Sequence, residues 1–238
     1  MSRSPTIAPS YASALSHIAY RRTCVVFGAI LGLQSIWLLL AQFTRPGIDH
    51  LPTTVESAAV AAIHRNDANW AAAIGVVRGD LWSESAYTYA DLLWADPSTN
   101  AATTVTLDQA HARLEKAIDY APHQSSVWVL LAGLTARYRW SDFNVTEALK
   151  MSYYTGPNDE ALLPLRLRLA TDLEALDDIE LQEFVRRDLR LLLASQRKSV
   201  VAETYDAASP AGKHFIEGAI SEIDPSSLEL LRAGTQKP

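Results

Sequence analysis

At 238 residues with 48% apolar side chains, the chain is long enough to bury a core and too apolar for a disordered polypeptide. All 27 acidic residues lie beyond Phe43, so from residue 44 onward 18 basic side chains stand against 27 acidic ones, a formal charge of −9 that excludes a domain-wide nucleic-acid surface. The single cysteine, Cys24, excludes an intramolecular disulfide, thiolate zinc sites and paired-cysteine redox chemistry.

Residues 1–14, with Pro5 and Pro9 among Ser, Thr and Ala, predict an unstructured tail. An anchor helix is expected over 15–43, with its apolar core CVVFGAILGLQSIWLLLAQF over 24–43. Twenty uncharged residues at about 1.5 Å each span roughly 30 Å, the thickness of a bilayer's hydrocarbon layer. Its Val, Ile, Leu and Phe side chains outweigh the insertion cost of Gln34 and Ser35, and the run exceeds the apolar region of a cleavable signal. Arg21 and Arg22 at its leading edge, against Arg45 alone at the other, place the amino terminus in the cytoplasm. The rest of the chain is then periplasmic, and the expected location is a bacterial inner membrane crossed once. Gly28 and Gly32 form a small-xxx-small pair, which leaves open a role as an accessory subunit packed through this helix. Residues 44–53, with Pro46, Gly47 and Pro52, predict a linker.

Beyond Pro52 no sustained alternation marks a strand, and helix starts recur. Thr106, Asn158, Asp178, Ser209 and Asp224 are the expected caps, the last two each followed by proline. Pro164, inside the run that Asn158 opens, predicts a kink or a later helix start. Asn144-Val145-Thr146 fits a glycosylation triplet, but Asn144 is better placed as a helix cap, and Arg78-Gly79-Asp80 reads as a helix junction. Arg186, Arg187 and Arg190 read as a solvated helix face. The fold class is all-α.

Ala110, Leu114, Ala117 and Pro122 form a small, bulky, small, proline series, followed by Trp128, Leu131 and Ala132 on the next helix. Trp82, Ala86 and Tyr89 show the matching first-helix spacing earlier, with Ser85 in a leucine position, and Leu149, Ser152 and Pro157 repeat the series 35 residues later. This pattern resembles the tetratricopeptide repeat family, clearest over 79–157. The chain departs from the pattern at the insertion ADPSTNAATTV, residues 95–105, and at Thr135, where the family places an aromatic. The resemblance implies an α-solenoid of antiparallel hairpins over 54–238, whose first helices line a concave face that binds a protein or peptide segment. Carried over by position, that face would present Asp80, Ser83, Tyr87 and Asp91 from one unit and Ser126, Val129, Gly133 and Arg137 from the next.

Catalytic patterns are weaker. The aromatics between Trp82 and Tyr154 have core spacing, with Trp140 and Phe143 at a helix junction the expected exceptions. Glu84-Ser85 is similar to the catalytic pair of lytic transglycosylases, but the Gly-Leu-Met-Gln segment does not follow. His111 and Glu115 stand one turn apart without a third ligand, and His64, His123 and His214 have no recognisable partner. Glycine-rich phosphate loops and Gly-x-Ser-x-Gly are absent. The expectation is a non-enzymatic scaffold without metal or cofactor, serving an envelope process such as surface-polysaccharide assembly or secretion. A periplasmic glycan-active enzyme is the alternative.

Overall fold

The computed structural model describes residues 11–95, 103–172, 174–195 and 197–228, and every regular element among them is helical. The expected tail over 1–14 and the insertion over 95–105 lie largely outside the described residues, as does the chain beyond 228.

Helix α1 (Tyr11–Thr44) is the anchor candidate. Within its stretch Ala19–Thr44 an 18-residue window has a mean hydropathy of 2.2 and is 6% buried, so the helix is long and apolar enough to cross a membrane and has almost no protein around that window. Two of its hydroxyls are satisfied by the helix itself: Thr23 donates to the Ala19 carbonyl at 3.0 Å and Ser35 to that of Leu31 at 2.8 Å. Near the end of α1, Ala41 is 1% exposed, because α1 packs there on helix α3 (Arg65–Gly75). The segment after α1 is non-helical, with Gly47 at φ +75, yet it is not a free spacer: Leu51 is 6% exposed and Ile48 packs on the core.

Helix α2 (Val55–Ile63) begins at a reciprocal capping box between Thr54 and Ser57, and His64 separates it from α3. Helix α3 packs through Ala68, Ala71, Ala72 and Gly75, where the lack of bulk permits close approach; a Cβ on Gly75 would meet Leu81 Cδ1 at 2.4 Å. Helix α4 (Gly79–Tyr87) runs into a short 3-10 turn at Ala90–Leu93 and is buried along its length from Leu81 to Tyr87.

Consecutive helices then pair: α4 with α5 (Thr104–Tyr120), α6 (Ser125–Tyr138) with α7 (Val145–Thr155), and α8 (Leu163–Asp172) with α9 (Ile179–Ala194). Helices α10 (Lys198–Ala207) and α11 (Pro210–Ile223) close the far end against α8 and α9. Alternate helices also touch: α4 with α6, α6 with α8, and α7 with α9. Central α6 is buried nearly all round, which is why its apolar residues show no single stripe.

Asn144, Asp178 and Ser209 cap as expected, accepting from the backbone N–H of Glu147, Leu181 and Gly212 at 3.1, 2.8 and 3.1 Å. Two starts differ. Helix α5 is capped by Thr103, whose hydroxyl accepts from the Thr106 N–H, so the helix opens one turn earlier than expected. Asn158 caps nothing; its side chain accepts from Arg187 Nη2 at 2.6 Å, and α8 starts at Leu163 so that Pro164 falls in the first turn, where no N–H is needed.

Candidate functional site

The eight residues expected on a concave face divide between two clefts and the core. Val129 is fully buried, and Ser83, Tyr87 and Ser126 are at most 7% exposed. Tyr87 and Ser126 share a hydroxyl–hydroxyl hydrogen bond, and Gln124 Nε2 donates to the Tyr87 hydroxyl at 3.0 Å. These two side chains fasten α4 to α6. Asp91 accepts from Arg65 at 2.7 Å, and the same guanidinium donates to the Thr88 carbonyl at 2.8 Å, so Asp91 locks the start of α3 to the end of α4. Gly133 accommodates Leu93: a Cβ there would stand 2.5 Å from Leu93 Cδ2.

Asp80, Ser83 and Tyr87 line a cleft of about 170 Å³ beside the end of α1, together with Arg45, Glu84 and Gln124. Glu84 is 2% exposed; one carboxylate oxygen accepts from Arg45 and the other has no hydrogen-bond partner. Burial pushes the Glu84 carboxyl up and the Arg45 guanidinium only partly offsets it. Asp80 behaves oppositely: burial raises it, but the paired Arg78 guanidinium wins and holds it below the usual carboxylate range. Ser85 does not share this cleft, since its hydroxyl donates to Asn69 Oδ1 at 2.6 Å. Adjacent helix positions diverge by about 100°, and accordingly Glu84 turns to Arg45 and Ser85 to Asn69 on α3.

Gly133 and Arg137 line a second cleft, of about 130 Å³, with Leu93, Trp94, Leu165 and Arg168. It adjoins a third, of about 400 Å³, which shares Trp94, Leu165 and Arg168 and continues to Thr54, Val200 and Glu203. Together they form a groove across α6, α8 and α10. Its floor is apolar; Arg137 and Arg168 supply cations, and Asp172 and Glu203 supply anions. Arg137 donates to the Ala95 carbonyl and keeps a buried Nε without a partner. Sequence reasoning missed the α8 and α10 contributions because these helices lie outside the stretch carrying the repeat pattern. The available signal was LPLRLRLATD, in which Arg166 and Arg168 stand two positions apart on one helix and so face nearly opposite ways.

The junction expected at Trp140 and Phe143 forms around a histidine. His111 Nε2 hydrogen-bonds Asp142 Oδ2 at 2.6 Å, with its ring edge-on to Trp140 at 4.8 Å and tilted to Phe143 at 5.4 Å. His111 therefore fastens the α6–α7 connection to α5. Among the described residues no three His, Cys, Asp or Glu side chains converge as metal ligands. No protein-family model, curated protein or solved structure matches the chain.

Proposed function

We propose that this chain is a membrane-tethered adaptor that holds an extended segment of a partner protein in the groove across α6, α8 and α10. In this reading α1 crosses a bacterial inner membrane once, its amino terminus is cytoplasmic, and the helical body is periplasmic. The body is an array of tetratricopeptide-like hairpins and carries no catalysis of its own. The pairing of α4 with α5, α6 with α7 and α8 with α9, and the contacts between alternate helices, support a stacked array. The observation that carries the reading is the shared lining of the two adjoining clefts, an apolar floor with both signs of charge at its rim. A peptide strand offers matching chemistry, because it presents spaced apolar side chains and charges of either sign. A positioning role in surface-polysaccharide assembly or secretion fits an array tethered in the envelope.

The test is site-specific photo-crosslinking in native membranes, with a photoreactive residue in place of Glu203 and, as control, in place of Glu115 on the exposed face of α5. Position 203 should yield a defined protein adduct that Arg168→Glu reduces severalfold, and position 115 should not. Equal adducts at both positions, or indifference to Arg168→Glu, would refute the groove as the binding surface.

A further inference from the structure

We infer that α3 and the turn after it lie in the outer leaflet of the same bilayer that α1 enters, so that the helical body is seated in the membrane and not merely hung from it. The inference rests on the reading of α1 as a membrane-spanning helix.

From Ala68 to Val77 the chain reads ANWAAAIGVV, ten residues without a charge. A run of this length is too short to cross a bilayer and has two ordinary fates, burial in a core or residence at a membrane interface. Only one face of α3 is buried: Ala68, Ala71, Ala72 and Gly75 point inward, while Trp70 is 67% exposed. Val76 and Val77, in the turn that follows, are 48% and 64% exposed. These are large apolar surfaces left bare on the helix that packs against the end of α1.

Their level relative to α1 is fixed by side chains. Arg78 Nη1 and Nη2 donate to Gln42 Oε1 at 3.5 and 3.4 Å, which brings the turn beside the last turn of the candidate span Ala19–Thr44. Lipid that surrounds the last turns of α1 therefore also reaches Val76 and Val77. The opposite end of α3 is polar, with Arg65 paired to Asp91 and both Asn66 and Asp67 exposed, as expected for the end that stays in water. Trp70, between the two, has the amphipathic ring that suits the headgroup region. Arg113 of α5 lines the shallow hollow beside Trp70, which puts a guanidinium next to that ring.

The backbone adds an independent observation. Val76 adopts φ +39, ψ −63, a positive-φ conformation that β-branched residues strongly disfavour. A turn in water would place Gly, Asn or Asp there. The turn keeps an apolar side chain, and its Val76 carbonyl is satisfied internally by the Trp82 indole N–H at 2.8 Å, as a carbonyl facing lipid must be.

The experiment uses the full chain in phosphatidylcholine vesicles. Because Cys24 is the single cysteine, Cys24→Ser provides a background for nitroxide labels at Val77→Cys and Trp70→Cys, with Leu33→Cys in mid-span and Glu115→Cys on the exposed face of α5 as references. Collisions with oxygen report lipid, and collisions with a water-soluble nickel chelate report water. Labels at 77 and 70 should be severalfold less accessible to nickel than the label at 115, with oxygen accessibility approaching that at 33. Nickel accessibility at 77 and 70 equal to that at 115, with 33 still in lipid, overturns the seating of α3 and leaves the anchor intact. Exclusion of both reagents at 77 also overturns it, since a protein would then cover the face. A nickel-accessible label at 33 removes the anchor reading and this inference together.

Discussion

Single residues show how little of a buried charge's role is visible from its type. Arg166 is fully buried and donates to the Ser152 hydroxyl at 3.1 Å and the Gly156 carbonyl at 2.9 Å, while its guanidinium lies 4.6 Å from the Tyr153 ring centroid. Arg168, two residues on, is exposed on the groove rim. The same side chain thus serves as an interior bracket joining α7 to α8 in one case and as an exposed cation at a cleft in the other. Asp188, 1% exposed, accepts from the Tyr153 hydroxyl at 2.8 Å and keeps one oxygen unpartnered. Burial pushes its carboxyl from the ordinary 3.8 up to about 6, with Tyr153 and Arg166 only partly offsetting it. Its folded pKa lies above the unfolded one, so its contribution to stability is full below about 3.8 and is lost as pH rises through about 6. Between about pH 7.5 and about pH 4.5 the native chain should gain on the order of 2 kcal/mol relative to Asp188→Asn, read from denaturant midpoints in detergent. Parallel pH profiles for the two proteins would contradict the buried-carboxylate account.

At the scale of elements, the starts and stops were the most legible feature, because a cap is a local contact between residues three apart. Asn144, Asp178 and Ser209 could be read directly. Thr103 and Thr106 are both competent caps three residues apart, and the choice between them depends on where α5 meets α4, which local chemistry does not encode. Glycines within helices pose the same problem. In α11, Gly212 and Gly218 are both helical glycines, but a Cβ at 212 would stand 2.0 Å from the Thr171 carbonyl oxygen and one at 218 would meet nothing within 4 Å. Gly212→Ala should therefore destabilise the protein by about 2 kcal/mol or more through overpacking against backbone. Gly218→Ala should stabilise it by roughly 0.5–1 kcal/mol through helix propensity and reduced unfolded-state freedom. Thermal midpoints moving the same way for both variants would show that α11 does not pack on the end of α8 as described.

At the scale of the molecule, function depends on which distant helices share a surface. The groove joins Arg137 on α6 to Arg168 on α8 and Glu203 on α10, each about one helical pair apart along the chain. The expected concave face held Gly133 and Arg137 from this groove but also Val129 and Tyr87, which a solenoid with open inner helices would expose. Here α4 and α6 are covered from several sides, because the segment after α1 and the short turn at Ala90–Leu93 pack over them. The expected linker is for the same reason a strap: Arg45 pairs with both Asp49 and Glu84, joining the end of α1 to the middle of α4. If α1 spans the membrane with its amino terminus inside, a reporter that is active only in the cytoplasm should stay silent when fused after Pro238 and become active when Arg21 and Arg22 are moved to the other flank of α1. Activity of the unmodified fusion would reverse the assigned orientation.

Sequence by itself determined the helical class, the long apolar helix near the start, the exclusion of an intramolecular disulfide and the helix caps at Asn144, Asp178 and Ser209. Each of these follows from hydrophobic run length, from composition or from hydrogen bonds within one turn, all of which act between near neighbours. Tertiary structure alone decided which face of each central helix is open, which of two neighbouring arginines is interior, and that the end of α1 is braced against α3 and α4. Those outcomes depend on the competition among several apolar faces for the same covering, and a chain position carries no information about that competition until the faces have met.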